Sequence, residues 1–130
     1  MTGFLADACA LIDFHGPGPR GMARGAAEIM SSGEIEVAAV TVWEIQRKVA
    51  MGRLMRPVPP GFVGEFPDWL GSCGYRLAPM SWEDAALAAT LPEHHRDPMD
   101  RFLIATALRR DMTIITGDAI FRAYGVPTLW

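Results

Sequence analysis

Asp97-Pro98-Met99-Asp100-Arg101-Phe102-Leu103-Ile104-Ala105 opens a segment that closes on Arg109-Arg110 and runs on into Thr113-Ile114-Ile115-Thr116-Gly117-Asp118. Asp97 suits a helix N-cap, and Pro98 suits the first helical position, where its missing N–H costs nothing. Arg109 and Arg110 suit the negative C-terminal end of the same helix. Thr113 to Thr116 reads as a buried strand. A helix delivered straight into a buried strand that ends in an acid is a unit of a layered α/β fold.

The rest of the chain repeats that alternation. Upstream, Phe4 to Ala6 is a short strand, and Met22 to Ser32 reads as a helix stopped by Gly33. Ile35 to Val40 is a buried strand, Thr41 to Met51 a helix ended by Gly52. Val63 to Ser72 is a helix candidate that Pro67 weakens. Tyr75 to Ala78 is a strand candidate, and Ser81 caps an alanine-rich helix ending near Leu91. Downstream, Ala119 to Ala123 is a short helix and Pro127 to Trp130 a last strand. Gly16-Pro17-Gly18-Pro19 and Pro57-Val58-Pro59-Pro60-Gly61 break the chain between elements. The pattern predicts a three-layer α/β/α sandwich on a mainly parallel sheet, with residues 1–130 forming one domain.

The composition fits that expectation. Of 130 residues, 50% are hydrophobic and 21% charged, the profile of a globular chain rather than a disordered one. No apolar run approaches the roughly 18 residues of a membrane span. The N-terminus lacks a basic segment followed by a long apolar stretch, so a cytoplasmic location is expected. Cys9 and Cys73 form no CxxC pair, which argues against a zinc knuckle and for reduced thiols. Lys48 is the one lysine, so arginine supplies nearly all the positive charge, and arginine is the better bidentate phosphate ligand. A net charge of −3 argues against a nucleic-acid partner until four acids are set aside as metal ligands, −3 + 4 = +1.

Those four acids are Asp7, Glu44, Asp100 and Asp118. Asp7 and Asp118 end strand-like runs, and sites in parallel sheets form beyond the C-terminal ends of strands. Glu44 and Asp100 lie in the opening turns of helices. Hard divalent cations bind through such carboxylates, and a bound cation can activate water against a phosphodiester. No GxSxG elbow and no Walker loop offers a competing chemistry. Each acid also has a plainer role. Thr41 and Glu44 fit a capping box, Asp100 faces a positive helix end, Asp118 suits a turn, and Asp7 suits the cap of a helix from Ala8. His94 and His95 fall in a loop-like stretch, where surface histidines are common.

Four strings carry a resemblance to a known family: Leu5-Ala6-Asp7-Ala8-Cys9-Ala10-Leu11, Val42-Trp43-Glu44-Ile45, Arg96-Asp97-Pro98-Met99-Asp100-Arg101-Phe102-Leu103-Ile104-Ala105, and Ile115-Thr116-Gly117-Asp118-Ala119-Ile120-Phe121. In order and over the full length they resemble the PIN domain, and within it the VapC-like toxins of type II toxin–antitoxin modules. The ending Tyr124-Gly125-Val126-Pro127-Thr128-Leu129-Trp130 is similar to the same group. The resemblance implies an endoribonuclease dependent on Mg²⁺ or Mn²⁺, with Asp7, Glu44, Asp100 and Asp118 as its acidic site. It places the metal on Asp7, Asp100 and Asp118, with Asp97 and Thr116 as accessory groups. It implies a small antitoxin as partner and a toxin homodimer. Cys9 departs from the small polar or His residue frequent in the family and is expected to pack. Gly117 stands where Ala is frequent, a change expected to be harmless.

Arg47, Arg53, Arg56 and Arg101 are candidates for RNA phosphate contacts. Trp43, Trp69 and Trp82 are expected in the core, with interface area as the alternative. Three other readings compete: a PIN-like RNA- or protein-binding module whose acids serve only as caps, a DNA-directed or general RNA-processing PIN nuclease, and a phosphoacceptor receiver or aspartyl phosphatase. The last needs a lysine beside the acceptor carboxylate. Lys48 sits mid-helix, a turn beyond Glu44, which weighs against it.

Overall fold

In the computed structural model, which describes residues 3–16, 21–54 and 58–130, strands and helices alternate along the chain. They are β1 (Phe4–Ala6), α1 (Ala8–His15), α2 (Arg24–Ser32), β2 (Ile35–Ala38), α3 (Ala39–Ala50), α4 (Phe66–Ser72), β3 (Arg76–Ala78), α5 (Trp82–Thr90), α6 (Pro98–Arg110), β4 (Thr113–Ile115) and β5 (Thr128–Leu129). Short 3-10 turns occupy Pro60–Phe62 and Ala119–Tyr124. All five strands are parallel, in the order β3-β2-β1-β4-β5. The sheet is thus parallel throughout rather than mainly so.

Side chains alternate across the sheet, and each face buries its own core. Leu5 and Ile114 face a cluster built with Ala88, Leu103, Ile104, Ala107, Met112 and Phe121, largely from α5 and α6. Ala6, Ile115, Ile35 and Val37 face the other, built with Leu11, Met30, Ile45, Phe62, Phe66 and Leu70. Helices therefore cover both faces, the three-layer arrangement expected. No helix among the described residues is long and apolar enough to cross a membrane.

Several boundaries move, each for a physical reason. α3 begins at Ala39, directly on β2, with Ala38 as N-cap and no side-chain cap bond. The expected Thr41–Glu44 capping box therefore does not form. Thr41 lies inside the first turn instead, and its buried hydroxyl has no hydrogen-bond partner among the described residues. Pro67 does not interrupt α4 but stands in its first turn, where proline is tolerated. Ser81 caps α5 as expected, and it does so as a full capping box: its side chain accepts from Asp84 N–H at 3.0 Å, and the Asp84 carboxylate accepts from Ser81 N–H at 3.0 Å.

Two tryptophans depart from the core expectation. Trp82 is 91% exposed and Trp43 58%. Trp69 alone of the three packs inward, edge-on to His15 and Phe62 and stacked on Phe66. Both cysteines are free and exposed, so Cys9 does not fill the core as expected. Gly117 is not a neutral change either. A Cβ there would come within 2.9 Å of the Trp130 indole, so the bare backbone makes room for the C-terminal ring.

Candidate metal centre

The strand order reverses direction between β1 and β4: the chain moves outward from β1 to β2 and β3, then returns to the other side of β1. Crevices at such a switch point, beyond the C-terminal strand ends, are where parallel sheets place their sites. Asp7 stands there after β1, with its N–H bonded to Ile115 O at 3.2 Å. Thr116, Gly117 and Asp118 stand beside it after β4. Asp100 in the first turn of α6 and Glu44 further along α3 come near enough to act on the Asp7 carboxylate.

Asp7 is the N-cap of α1 and accepts from Ala10 N–H at 2.8 Å. Its carboxylate also accepts from the Thr116 hydroxyl, which in turn accepts from Asp118 N–H at 3.1 Å. These two bonds favour the charged form, yet burial dominates. Asp7 is 5% exposed, and its carboxyl is pushed up to about 6 by desolvation, with Asp100 and Glu44 adding repulsion. Asp100 is pushed up to about 6 as well, by desolvation first and then by the neighbouring charge of Asp97. At Asp7 the helix cap fixes the carboxylate, while burial and the charge of Asp100 and Glu44 leave it short of positive charge.

The other groups complete the ring. Glu44 adds repulsion to both Asp7 and Asp100 and pairs with Lys48 across one turn at 3.5 Å. Asp97 caps α6 through Met99 N–H at 2.9 Å. Asp118 caps the following 3-10 turn through Ile120 N–H at 3.0 Å and keeps a half-exposed side chain. No arginine or lysine pairs with Asp7, Asp100 or Asp118 among the described residues. Cys9 sits at the rim, its thiol pushed up to about 11 by desolvation and then by Asp7, so it is protonated at neutral pH.

One member of the site is absent from the expected set. His95 donates from Nε2 to Asp100 Oδ2 at 2.6 Å and lies 3.9 Å from Asp118 Oδ2. With Asp97 and Asp100 it forms a group whose ligand atoms all lie within 4.8 Å of one another. The sequence carries a weak sign of this, since His95 lies five residues before Asp100 across a helix start. That spacing follows neither helical nor strand periodicity.

The phosphate-contact candidates divide. Arg47 and Arg53 are exposed at and beyond the last turn of α3. Arg56 lies outside the described residues. Arg101 is corrected: it is buried, and its guanidinium donates to Ala88 O, Leu91 O, Pro92 O and His95 O at 2.8–3.1 Å. Its donors tie down the α5–α6 connection and do not face solvent.

Donor chemistry fits a hard divalent ion. A buried carboxylate and a half-buried one, neither with an arginine or lysine partner among the described residues, a third half-exposed one and a hydroxyl face one crevice, and a buried charge without a partner is costly. The comparisons agree at the level of fold and family. The PIN domain profile matches residues 4–127, so this chain belongs to the PIN domain family. The structure of FitAB bound to an IR36 DNA fragment aligns over 97% of this chain and 93% of its own, at TM-score 0.70 and 21% identity. FitAcB from Neisseria gonorrhoeae aligns over 98% and 96%, at TM-score 0.68 and 18% identity. VapBC2 from Rickettsia felis, bound to a DNA fragment from their promoter, aligns over 96% and 96%, at TM-score 0.67 and 10% identity. No curated protein sequence matches the chain. At these identities the structural likeness is one of fold.

Proposed function

We propose that this chain is a Mg²⁺- or Mn²⁺-dependent endoribonuclease acting as the toxin of a type II toxin–antitoxin module. The observation that carries the reading is the pairing of Asp7 and Asp100 at the switch point, Asp7 buried and Asp100 half-buried, both pushed up to about 6, and neither paired with arginine or lysine among the described residues. Two acids at the opposite end of α6 are instead matched by arginine: Asp84 meets Arg109 at 2.9 Å, and Glu36 meets Arg110 at 2.8 Å.

Asp7, Asp100 and Asp118 would hold the cation, with Glu44 as the fourth acid of the site. When bound, such an ion lowers the pKa of water and neutralises charge on a phosphodiester. The residues do the positioning. The Ala10 N–H and the Thr116 hydroxyl fix both the rotamer and the charge of Asp7. The Thr116 hydroxyl also anchors the backbone that presents Asp118. Asp118, the most exposed acid, borders the open side from which RNA enters. Arg47 on α3, the helix that bears Glu44, and Arg53 just beyond its end supply phosphate contacts. Single-stranded or looped RNA fits, because its backbone can bend into a crevice at a sheet edge.

The module assignment rests on the VapC-like strings and on the fold-level likeness to FitAB and VapBC2. It brings with it a small antitoxin covering the site and a toxin homodimer. Trp43 and Trp82 are exposed apolar area available to such partners. Cleavage of a defined single-stranded RNA should require Mg²⁺ or Mn²⁺, stop with EDTA, and fail in Asp7→Asn and Asp100→Asn. Undiminished cleavage by both variants would sink the assignment. Retained cation binding without any RNA cleavage would favour a non-catalytic PIN-like binding module.

A further inference from the structure

The connection between α5 and α6 is held more firmly than a turn requires. Arg101 donates to the carbonyls of Ala88, Leu91, Pro92 and His95. From the other side the Tyr124 hydroxyl accepts from His95 N–H at 2.7 Å and donates to Pro92 O at 2.7 Å. His95 is thus fixed at both its N–H and its C=O. Its ring packs edge-on against Phe121 at 6.2 Å between centroids, with the Nε2 edge turned to the carboxylates. Preorganisation of this kind is what a ligand residue needs.

The distances suit coordination. Donors about 2.1 Å from an octahedral ion lie about 3 Å apart when adjacent and about 4 Å apart when opposite. His95 Nε2 stands 2.6 Å from Asp100 Oδ2, and one ligand atom each from His95, Asp97 and Asp100 lie within 4.8 Å of one another, close to the span of a single coordination shell, with Asp118 Oδ2 at 3.9 Å from the same nitrogen. Asp97 uses Oδ1 for its cap, which leaves its second oxygen to the same space.

We propose that His95 is a nitrogen ligand of the cation at this site, and that this mixed donor set selects a first-row transition ion such as Mn²⁺ over Mg²⁺. The inference rests on the metal-centre reading above and adds to it the ligand that sets ion preference. Mg²⁺ holds to oxygen donors and keeps its waters, whereas transition ions accept imidazole with affinity rising from Mn²⁺ toward Co²⁺ and Ni²⁺. In the bound form the neutral ring carries its proton on Nδ1 and offers the Nε2 lone pair. Arg101 and Tyr124 are positioning residues, acting through the His95 backbone.

The test is pulsed electron spin echo spectroscopy of the full chain loaded with Mn²⁺, read for nitrogen modulation from a coordinated imidazole. The unsubstituted protein should show it, His95→Ala should lose it, and His94→Ala and His15→Ala should keep it. In parallel, Mn²⁺ and Mg²⁺ affinities are measured by titration. Loss of a supporting group alone costs about 10–100-fold in metal affinity, so His95→Ala should weaken Mn²⁺ by at least about tenfold and Mg²⁺ by much less. Circular dichroism of His95→Ala checks folding, and the spectrum of the unsubstituted chain needs no variant. Tight Mn²⁺ binding without nitrogen modulation overturns this inference and leaves the metal centre standing. Equal weakening of both ions overturns the selectivity. Absence of any Mn²⁺ binding overturns the metal centre and this inference together.

Discussion

Helix α6 ends in two different electrostatic environments roughly 20 Å apart. At its C-terminus Arg109 meets the buried Asp84 at 2.9 Å, and Arg110 makes a two-armed contact with Glu36 at 2.8 Å on each arm. At its N-terminus Asp97 and Asp100 gather with Asp7, Glu44 and Asp118, and the nearest nitrogen to Asp100 is an imidazole. The residue types are the same and their company is opposite. Acids that serve the fold at one end are matched by arginine, whereas Asp7 and Asp100, with no arginine or lysine beside them among the described residues, have their proton affinity raised by burial first and then by neighbouring carboxylates. Only the second arrangement gains by admitting a cation.

The largest effect expected from breaking this contrast is on chemistry. Asp7→Asn keeps a side-chain oxygen for the Ala10 cap but removes a ligand charge. Metal-dependent cleavage should fall by about 100-fold or more, while the melting temperature of the metal-free protein stays level or rises. Asp84→Asn should do the reverse. It loses the Arg109 pair and weakens the Ser81 box, costing about 2 kcal/mol in urea unfolding, with cation affinity unchanged. A cation affinity that fell equally in both variants would erase the distinction between the two ends.

Arg101→Met comes next. It leaves carbonyls of Ala88, Leu91, Pro92 and His95 without their donor, and a loss of about 3 kcal/mol in chemical denaturation is expected. Were Arg101 a solvent-facing phosphate contact, the loss would be near zero and the effect would fall on RNA affinity.

The acid-rich end should also reveal itself through pH. Asp7 and Asp100 titrate near 6 in the fold and near the ordinary carboxylate value when unfolded. The folded protein therefore binds more protons between about 4 and 6, and these two groups contribute stability that is full below about 4 and lost as pH rises through about 6. Metal-free melting temperature should decline across that window, and Mn²⁺ should reverse the decline as the carboxylates ionise. A metal-free profile that rose steadily through it would contradict the burial argument. The smallest effect is at Thr41, where Thr41→Val removes a buried hydroxyl that has no partner among the described residues. A gain of about 1 kcal/mol in unfolding free energy is expected.

How far the sequence went is visible in the same two regions. The Asp97-Pro98 start, the Ser81 cap and the apolar strand runs are local signals, and the sheet built from them is the one expected. The acids were legible because strand ends and helix starts place them together once the sheet is parallel. Glu44 was read with the wrong cap because β2 passes into α3 without a break, and a continuous apolar run hides that junction. Arg101 and His95 were misread for one shared reason. A guanidinium wrapped by loop carbonyls, and an imidazole delivered by that loop, depend on contacts between separate elements, and such contacts leave no periodic trace. Trp82 and Trp43 look like core residues by composition, and only packing shows that they face outward.

The central claim is that the unmatched acids at the switch point form one divalent-cation site. The most direct measurement is thermal unfolding near neutral pH against increasing Mn²⁺, for the unsubstituted chain beside Asp7→Asn and Asp100→Asn. A preformed site stabilises by mass action, about 2.7 kcal/mol at roughly 100 times its Kd. The account predicts a melting temperature that climbs with Mn²⁺ in the unsubstituted chain and stays nearly flat in both variants. A flat curve in the unsubstituted chain, or an equal climb in all three, would contradict it.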